Sequence, residues 1–505
     1  MKHKYYILLA CLLATMMSAS AQDTYDAANI SREDLNGTAR YVGMGGAMEA
    51  LGADLSTISS NPAGIGMFRH SFAALSFGLV SQDGVSNFGG GTKTNMSFDQ
   101  IGFVYSSRTG INSYLNFAFN FHKSNNFDQI LTASNALNGS CQANQTMIKG
   151  MRYKYLNGDY SYSFVDDFYT PFVYNEAENK FTSYTGSRFL LNRATTGYTG
   201  VYDFNFSGNI KDRLYLGLSV GIHDVHYNAY TEYGEDGGII IKDDRTISGT
   251  GVDLKVGAIL RPVEESPFRF GVSVSTPTWY TLTTSNSTRF DGADRPIGES
   301  YKFKLYTPWR FGLSVGHTID NFLALGASYE YADYSSCDVR IIDTNGWDPH
   351  SWNGENSHSD HEQKRHIDKA LNGVSILKLG VELKPEKNLS LRVGYNYVSP
   401  QYKSGATRDQ LMISGGVGYA STTDYTNWKS TNRLTAGVGY TFDSFHVDLA
   451  YQYSTTRGDF YPFMSDLGVS YRTADGSEYT YTNTSEATSV KNDRHQLLLT
   501  LGYSF

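Results

Sequence analysis

The chain has 505 residues, a formal net charge of −8, and 50 Gly, 38 Tyr and 28 Phe against only 11 Pro. That length would hold about three soluble domains, yet β-barrels use several hundred residues as one unit, and abundant Gly and aromatic residues favour many strands with aromatic belts. The acidic balance gives nucleic-acid binding no electrostatic support, and a mean hydropathy of −0.37 is low for a helical membrane protein but not for a barrel, which hides apolar residues at every second position.

Lys2 and Lys4, an apolar run from Tyr5 to Met17 and the small residues Ala19-Ser20-Ala21 form the three-part pattern of a secretory signal, so residues 1–21 are expected to be removed and the mature chain to start at Gln22. A transmembrane anchor needs about 18 apolar residues, more than this run has. Leu8-Leu9-Ala10-Cys11 resembles a lipobox, but with a very short apolar run before Cys11. Loss of the two lysines takes the formal net charge from −8 to −10. The remaining cysteines, Cys141 and Cys337, are too few for a disulfide framework or a zinc site, and a single loop-to-loop bridge is left open.

Residues 22–70 lack a long strand pattern and are rich in Gly, Ala and Ser, with a cluster at Gly43, Gly45, Gly46 and Ala47 and a turn at Asn61-Pro62-Ala63-Gly64. Gly43-x-Gly45 is half of a dinucleotide fingerprint, but Met48 stands where a third small residue is needed and no strand precedes it. Small residues that let backbone pack closely are the better account, with Pro62 fixing φ and Gly64 free to take φ > 0.

After residue 70 the periodicity becomes two. Leu497, Leu499, Leu501, Tyr503 and Phe505 share one face, with Leu498 the only violation, and the same split recurs in Leu214–Ile222, Leu389–Tyr397 and Phe445–Tyr453. Strands are predicted near residues 71–80, 97–108, 112–122, 198–210, 213–227, 248–261, 267–282, 301–317, 321–335, 374–384, 388–399, 433–442, 444–454 and 494–505. Their connections alternate between short, as at 109–111, 211–212, 262–266, 318–320, 385–387 and Asp443, and long, as at 123–197, 336–373 and 455–493. A sandwich has no reason to sort its links this way, whereas a membrane barrel has short periplasmic turns and long exterior loops. The predicted fold is all-β: a 14-stranded antiparallel transmembrane β-barrel, residues 71–505, with residues 22–70 as a small hatch inside the lumen.

Candidates for chemistry are few. His358, Asp360, His361, Glu362 and His366 lie in a polar stretch read as a solvated loop rather than a metal site. His223, His226, His317 and His446 lie on strands without a G-x-S-x-G elbow. No catalytic, metal or cofactor residue is assigned. The alternating C-terminal strand ending in Phe505 has the form of the tag that barrel-assembly machinery reads.

With these residues in view, the chain resembles the FadL/TodX-type outer-membrane transporters of long-chain fatty acids and other hydrophobic compounds, members of which are often labelled hemin receptors in the Bacteroidetes. The resemblance rests on Gly43 to Ala47 followed by Asn61-Pro62-Ala63-Gly64, on the TP segments at Thr276-Pro277 and Thr307-Pro308, and on Tyr329 to Ser335 and Leu391 to Tyr395. No haem-ligand pattern is visible. The resemblance implies passive uptake of a hydrophobic small molecule across the outer membrane of a Gram-negative bacterium, around a hatch and out sideways into membrane lipid. Gly43, Gly45, Gly46, Asn61, Pro62, Ala63 and Gly64 are then the gating residues, with Ile65, Met67, Phe68, Phe117 and Phe119 presenting apolar surface to the ligand. By analogy of position, the strand at 112–122 borders the lateral gap. An outer-membrane enzyme, a surface-binding or adhesion barrel and a polar porin are the alternatives.

Overall fold

The computed structural model describes residues 23–142, 173–175, 180–182, 185–236, 239–290, 296–347, 355–408, 424–463, 467–472, 476 and 478–505. The expected leader and its boundary at Gln22 lie outside them.

Fourteen strands form one closed antiparallel wall: β1 (Phe72–Gln82), β2 (Thr94–Gly110), β3 (Ser113–Asn126), β4 (Arg188–Ile210), β5 (Leu214–Glu235), β6 (Ile239–Leu260), β7 (Arg269–Ser275, continuing as Trp279–Phe290), β8 (Ile297–Tyr306, continuing as Arg310–Ile319), β9 (Leu323–Asp333, continuing as Asp338–Trp347), β10 (Gly373–Glu386), β11 (Leu389–Val398), β12 (Tyr425–Phe442), β13 (Phe445–Tyr461) and β14 (Thr488–Ser504). β14 closes the barrel on β1, from Phe72↔Ser504 to Gln82↔Arg494. Closure satisfies the backbone without leaving an edge, the condition for crossing a bilayer with strands. At the N-terminal end of β1 the links are tight, and Asn112, Lys211, Asp212, Asp320 and Asp443 take the left-handed φ of 48–54° that two-residue hairpin turns require.

The apolar face points outward. Phe204, Phe206, Leu216, Leu218, Leu313, Val315, Leu377, Leu379, Leu499 and Leu501 are exposed around the barrel, while their sequence neighbours face the lumen. A water-soluble fold would not leave such a continuous belt bare, so the belt is the lipid-facing surface. Leu498, the outlier in the alternation, points inward, is fully buried, and packs on Leu35, Met44 and Met48.

Three neighbouring strands break at one level. Ser275 pairs with Arg310 and Trp279 with Tyr306, so Pro277 and Pro308 stand opposite each other in the interval, where neither has an N–H to donate. In β9 the same level carries the 3-10 turn Tyr334–Ser336. Across the break the strands reverse their faces. Below it Val272, Val274, Phe311, Leu313 and Tyr331 point out; above it Tyr280, Leu282, Phe303, Leu305 and Val339 point in and are buried. The sequence reading of 267–282 and 301–317 as single alternating strands missed this reversal. It also ended β4, β5 and β6 too early: they run on to Arg188, Glu235 and Ile239, so much of the expected loop between 227 and 248 is wall. Past the lipid belt the outward residues are mostly polar and apolar ones such as Phe189, Leu191, Tyr233 and Ile241 face inward, so the lipid-facing stripe that marks a strand fades.

Residues 23–68 lie inside this wall as α1 (Thr24–Ser31), α2 (Ala39–Gly43), α3 (Thr57–Ser60) and the 3-10 turn Pro62–Met67. The wall meets them with glycine. Gly316, Gly326, Gly380 and Gly394 are cross-strand partners in sequence around β8 to β11, and Gly217 pairs with Gly257 on β5 and β6. A Cβ on Gly326 would overlap the Ala47 carbonyl oxygen, one on Gly380 the Met44 carbonyl oxygen, and one on Gly394 the Gly45 nitrogen. On the other side Gly45 and Gly46 have φ of 63° and 82°, conformations that cost L-residues with a side chain. Gly394→Val is therefore expected to leave a heat-resistant barrel that migrates as folded in cold electrophoresis, but to unseat residues 40–50. The predicted cost is about 1–3 kcal/mol, the range for overpacking, with new protease cleavage in that segment; unchanged protease resistance would contradict the close-contact account.

Candidate functional site in the lumen

Among the described residues, seven ion pairs pin the N-terminal segment to the wall and its links: Asp23–Arg408, Asp26–Arg245, Glu33–Arg310, Asp34–Arg433 at 3.2 Å, Arg40–Glu382 at 3.1 Å, Glu49–Lys378 at 2.8 Å and Arg69–Asp212 at 2.6 Å. In Asp23–Arg408 and Glu49–Lys378 both partners are buried, so the pairing answers the desolvation of both and removal of one partner would strand the other.

At the periplasmic end, Asn61 caps the 3-10 turn: its Oδ1 accepts from the Ala63 N–H at 3.1 Å and its Nδ2 donates to the Val272 carbonyl at 3.4 Å. Asn61 and Pro62 press on Gly257 and Gly217. Ala63 and Gly64 are fully buried or nearly so. Wall asparagines satisfy the turn's carbonyls, Asn116 to Ile65 at 2.7 Å, Asn205 to Pro62 at 3.4 Å and Asn209 to Gly66 at 3.0 Å. Gly43, Gly45 and Gly46 sit higher, against β10 to β12.

The apolar candidates are not gathered into one surface. Ile65 is fully buried against Leu55, Ile58, Ala74 and Val104. Met67 packs on Ala63, Tyr215 and Ile259, and Phe68 stacks on Phe72 at 5.7 Å. Phe117 and Phe119 are on the outer face, 5.2 Å from Phe206 and Phe204 respectively, so the apolar surface expected to meet the ligand faces lipid rather than the lumen. Their strand places Asn116, Ala118 and Asn120 inward, and it is these that touch the lumen.

Beside β3 the wall does part. The β2–β3 ladder ends at Gln100↔His122. Beyond it β3 pairs only with β4 and turns toward the N-terminal segment, its Ser124 carbonyl accepting from the Asp34 N–H at 2.7 Å. Residues 94–98 of β2 pair only with β1, and a bulge at Asp99 points both Asp99 and Gln100 inward. Side chains alone span the interval: Lys123 donates to Ser97 at 3.0 Å and Asn36 to Asp99 at 2.9 Å. Directly behind lies a cavity of about 30 Å³ that Lys123, Arg433 and Arg494 share with Asp34 and Asp99. Burial opposes charge on Asp34, but Arg32, Arg433 and Arg494 outweigh it and hold its carboxyl below the usual range.

Nearer the outer mouth, a cavity of about 130 Å³ lies beside α1, with aromatic walls from Tyr25, Tyr227, Tyr402 and Trp428. Below it the helix His361–Ala370, α4, packs on α1; Asp360 caps it, and His366 is buried with its Nδ1 2.6 Å from Thr24 Oγ1. The expected solvated loop is thus a packed helix. Among the described residues no three His, Cys, Asp or Glu side chains group to hold a metal. Cys141 and Cys337 are both buried and unbridged.

The strand histidines have partners but no complete catalytic set among the described residues. His223 lies 3.0 Å from Asp253 and 3.1 Å from the Tyr280 hydroxyl, with no serine in the chain of contacts. His446 lies 3.0 Å from Ser504 and 3.2 Å from Thr441, with no carboxylate bonded to it. A serine nucleophile needs both in series.

Glu49 shares Lys378 with Glu330. Burial raises its carboxyl to about 8, against the pull of Lys378 and with the help of Glu330. A raised carboxyl favours the folded form below its ordinary range, and that advantage is lost as pH rises toward about 8; the depressed Asp34 acts oppositely, its contribution fading in acid. Protease protection of residues 30–55 is expected to be greatest at mildly acid pH, fading in stronger acid with Asp34 and declining with Glu49 as pH rises toward about 8, and Glu49→Gln should flatten that second decline alone. A decline toward pH 8 unchanged by that substitution would contradict this assignment.

No protein-family model matches the chain and no curated protein matches it. Solved structures do. The Ralstonia pickettii toluene transporter TbuX is 13% identical over 93% of this chain and 99% of its own, with a TM-score of 0.48. A Pseudomonas aeruginosa FadL homologue is 12% identical over 98% of this chain and 100% of its own, at 0.49. The Pseudomonas putida toluene transporter TodX is 13% identical over 94% and 99%, at 0.47. The chain is thus similar, along nearly its whole length and at low identity, to solved structures of FadL and TodX type.

Proposed function

We propose that the chain is a passive conduit for hydrophobic or amphipathic small molecules across the outer membrane, with residues 22–70 as a hatch that stays in the lumen. The observation that carries this reading is the parted β2–β3 ladder with a cavity directly behind it. A ligand admitted at the outer mouth would pass the aromatic cavity, reach the cavity at Arg433 and Arg494, and leave sideways past Asp99 and Lys123 into lipid. Apolar burial of roughly 25 cal/mol per Å² supplies binding at the aromatic cavity, and no chemistry or energy source is needed. The hatch obstructs a straight aqueous path, which argues against a general porin.

Asn61, Pro62, Ala63 and Gly64 set the periplasmic seat of the hatch in this proposal. Bulky replacement of Asn61 and Pro62 should lower uptake of a hydrophobic substrate while the barrel still assembles; normal uptake in a folded mutant would remove their gating role. The lateral route is tested by Ser97→Cys with Lys123→Cys, joined by a reducible bifunctional thiol reagent. Uptake by cells is expected to fall about tenfold or more on cross-linking and to return on reduction, since passage depends on that interval alone; uptake unaffected by the bridge would refute lateral release between β2 and β3.

A further inference from the structure

The aromatic cavity beside α1 combines three features. Its free space, about 130 Å³, is close to the roughly 150 Å³ of an apolar cavity that admits benzene, so it fits one ring and not an extended chain. Its walls are rich in aromatic rings packed on one another: Tyr25 stacks on Tyr402 at 4.9 Å and lies 5.2 Å from Tyr425, and Phe127 meets Tyr227 edge-on at 5.2 Å. Its charges are nearly all closed, with Arg245 on Asp26, Arg193 on Asp424 at 2.5 Å and Arg408 on Asp23.

Arg32 is the exception. It lines the cavity, yet its one hydrogen bond among the described residues runs from Nε to the Asn125 side-chain oxygen at 3.3 Å. The nearby Asp34 feels the Arg32 charge but makes its ion pair with Arg433. Two Nη groups are therefore left for a planar acceptor, the geometry in which a guanidinium binds a carboxylate in bidentate fashion. A hydrocarbon ring would use the aromatic walls and leave Arg32 unanswered; an aliphatic acid would answer Arg32 and forgo stacking.

We infer that this cavity is a binding site for single-ring aromatic carboxylates. The inference takes its direction, capture before passage, from the uptake reading above, but binding is measurable without transport. The test is calorimetric titration of the full chain in detergent with benzoate, cyclohexanecarboxylate and toluene. Benzoate is expected to bind at least about tenfold more tightly than either, the factor that one charge-assisted hydrogen bond or a stacked pair supplies. Arg32→Gln should weaken benzoate about tenfold and leave toluene unchanged. Toluene binding as tightly as benzoate, or benzoate indifferent to Arg32→Gln, would overturn the inference while leaving passive uptake standing. If Arg32→Gln fails to assemble, the ligand series on the unaltered chain decides alone. Benzoate binding together with intact uptake of toluene in cells after cross-linking at residues 97 and 123 would separate the two readings in the other direction, upholding the site and refuting the route.

Discussion

Two backbones can meet inside a barrel only where no side chain stands in the contact. That constraint organises the molecule. Gly316, Gly326, Gly380 and Gly394 run as successive cross-strand partners along β8 to β11, and the segment they receive answers with Gly43, Gly45 and Gly46. Close contact alone would leave buried carbonyls without donors, which is costly. Asn116, Asn205 and Asn209 supply those donors at the periplasmic end, and buried ion pairs fix the segment higher up. Apolar packing adds to these contacts: Leu498 and Ala450 pack with Met44 and Met48, and Ala74, Val104 and Ala118 with Leu55, Ile58 and Ile65.

A second constraint is the change of solvent along the wall. In lipid the apolar side chains must face out; above the membrane they must face in. β7, β8 and β9 make that change within three or four residues by breaking at Pro277, Pro308 and Tyr334, and Trp279 and Trp309 stand exposed at the break, where an aromatic residue suits a membrane interface. The result is an ordinary inward core above the belt, built from Tyr280, Leu282, Phe303, Leu305 and Val339 around α1 and α4.

Much of the fold was legible in the chain because a barrel's outer face is periodic. The number of strands, the tight turns and the position of residues 22–70 before β1 follow from alternation and link length. Strand ends above the belt did not follow, because Arg188 to Tyr198 and Asn228 to Ile247 carry no lipid-facing stripe. The candidate site was legible only in part. Asn61 and Gly45 were visible as a turn and a cluster, but the residues that line the cavities were not. Arg32, Arg433 and Arg494 are scattered over more than 460 positions and carry no local motif, and Glu49 and Lys378 meet across 329 residues. Phe117 and Phe119 are expected from the sequence to meet the ligand, whereas their neighbours Asn116 and Asn120 are the luminal residues; in a membrane barrel, polarity marks the lumen.

The account requires that a ligand pass while the N-terminal segment remains in place. Its most direct test is a tether: Glu49→Cys with Lys378→Cys, whose native side chains approach to 2.8 Å, joins the segment to β10 by a short thiol cross-link. Uptake of a hydrophobic probe by cells carrying the tethered protein should match that of the same double variant left uncross-linked. Uptake abolished by the tether and restored on its release would mean that the segment must leave the lumen, and the sideways route would fall.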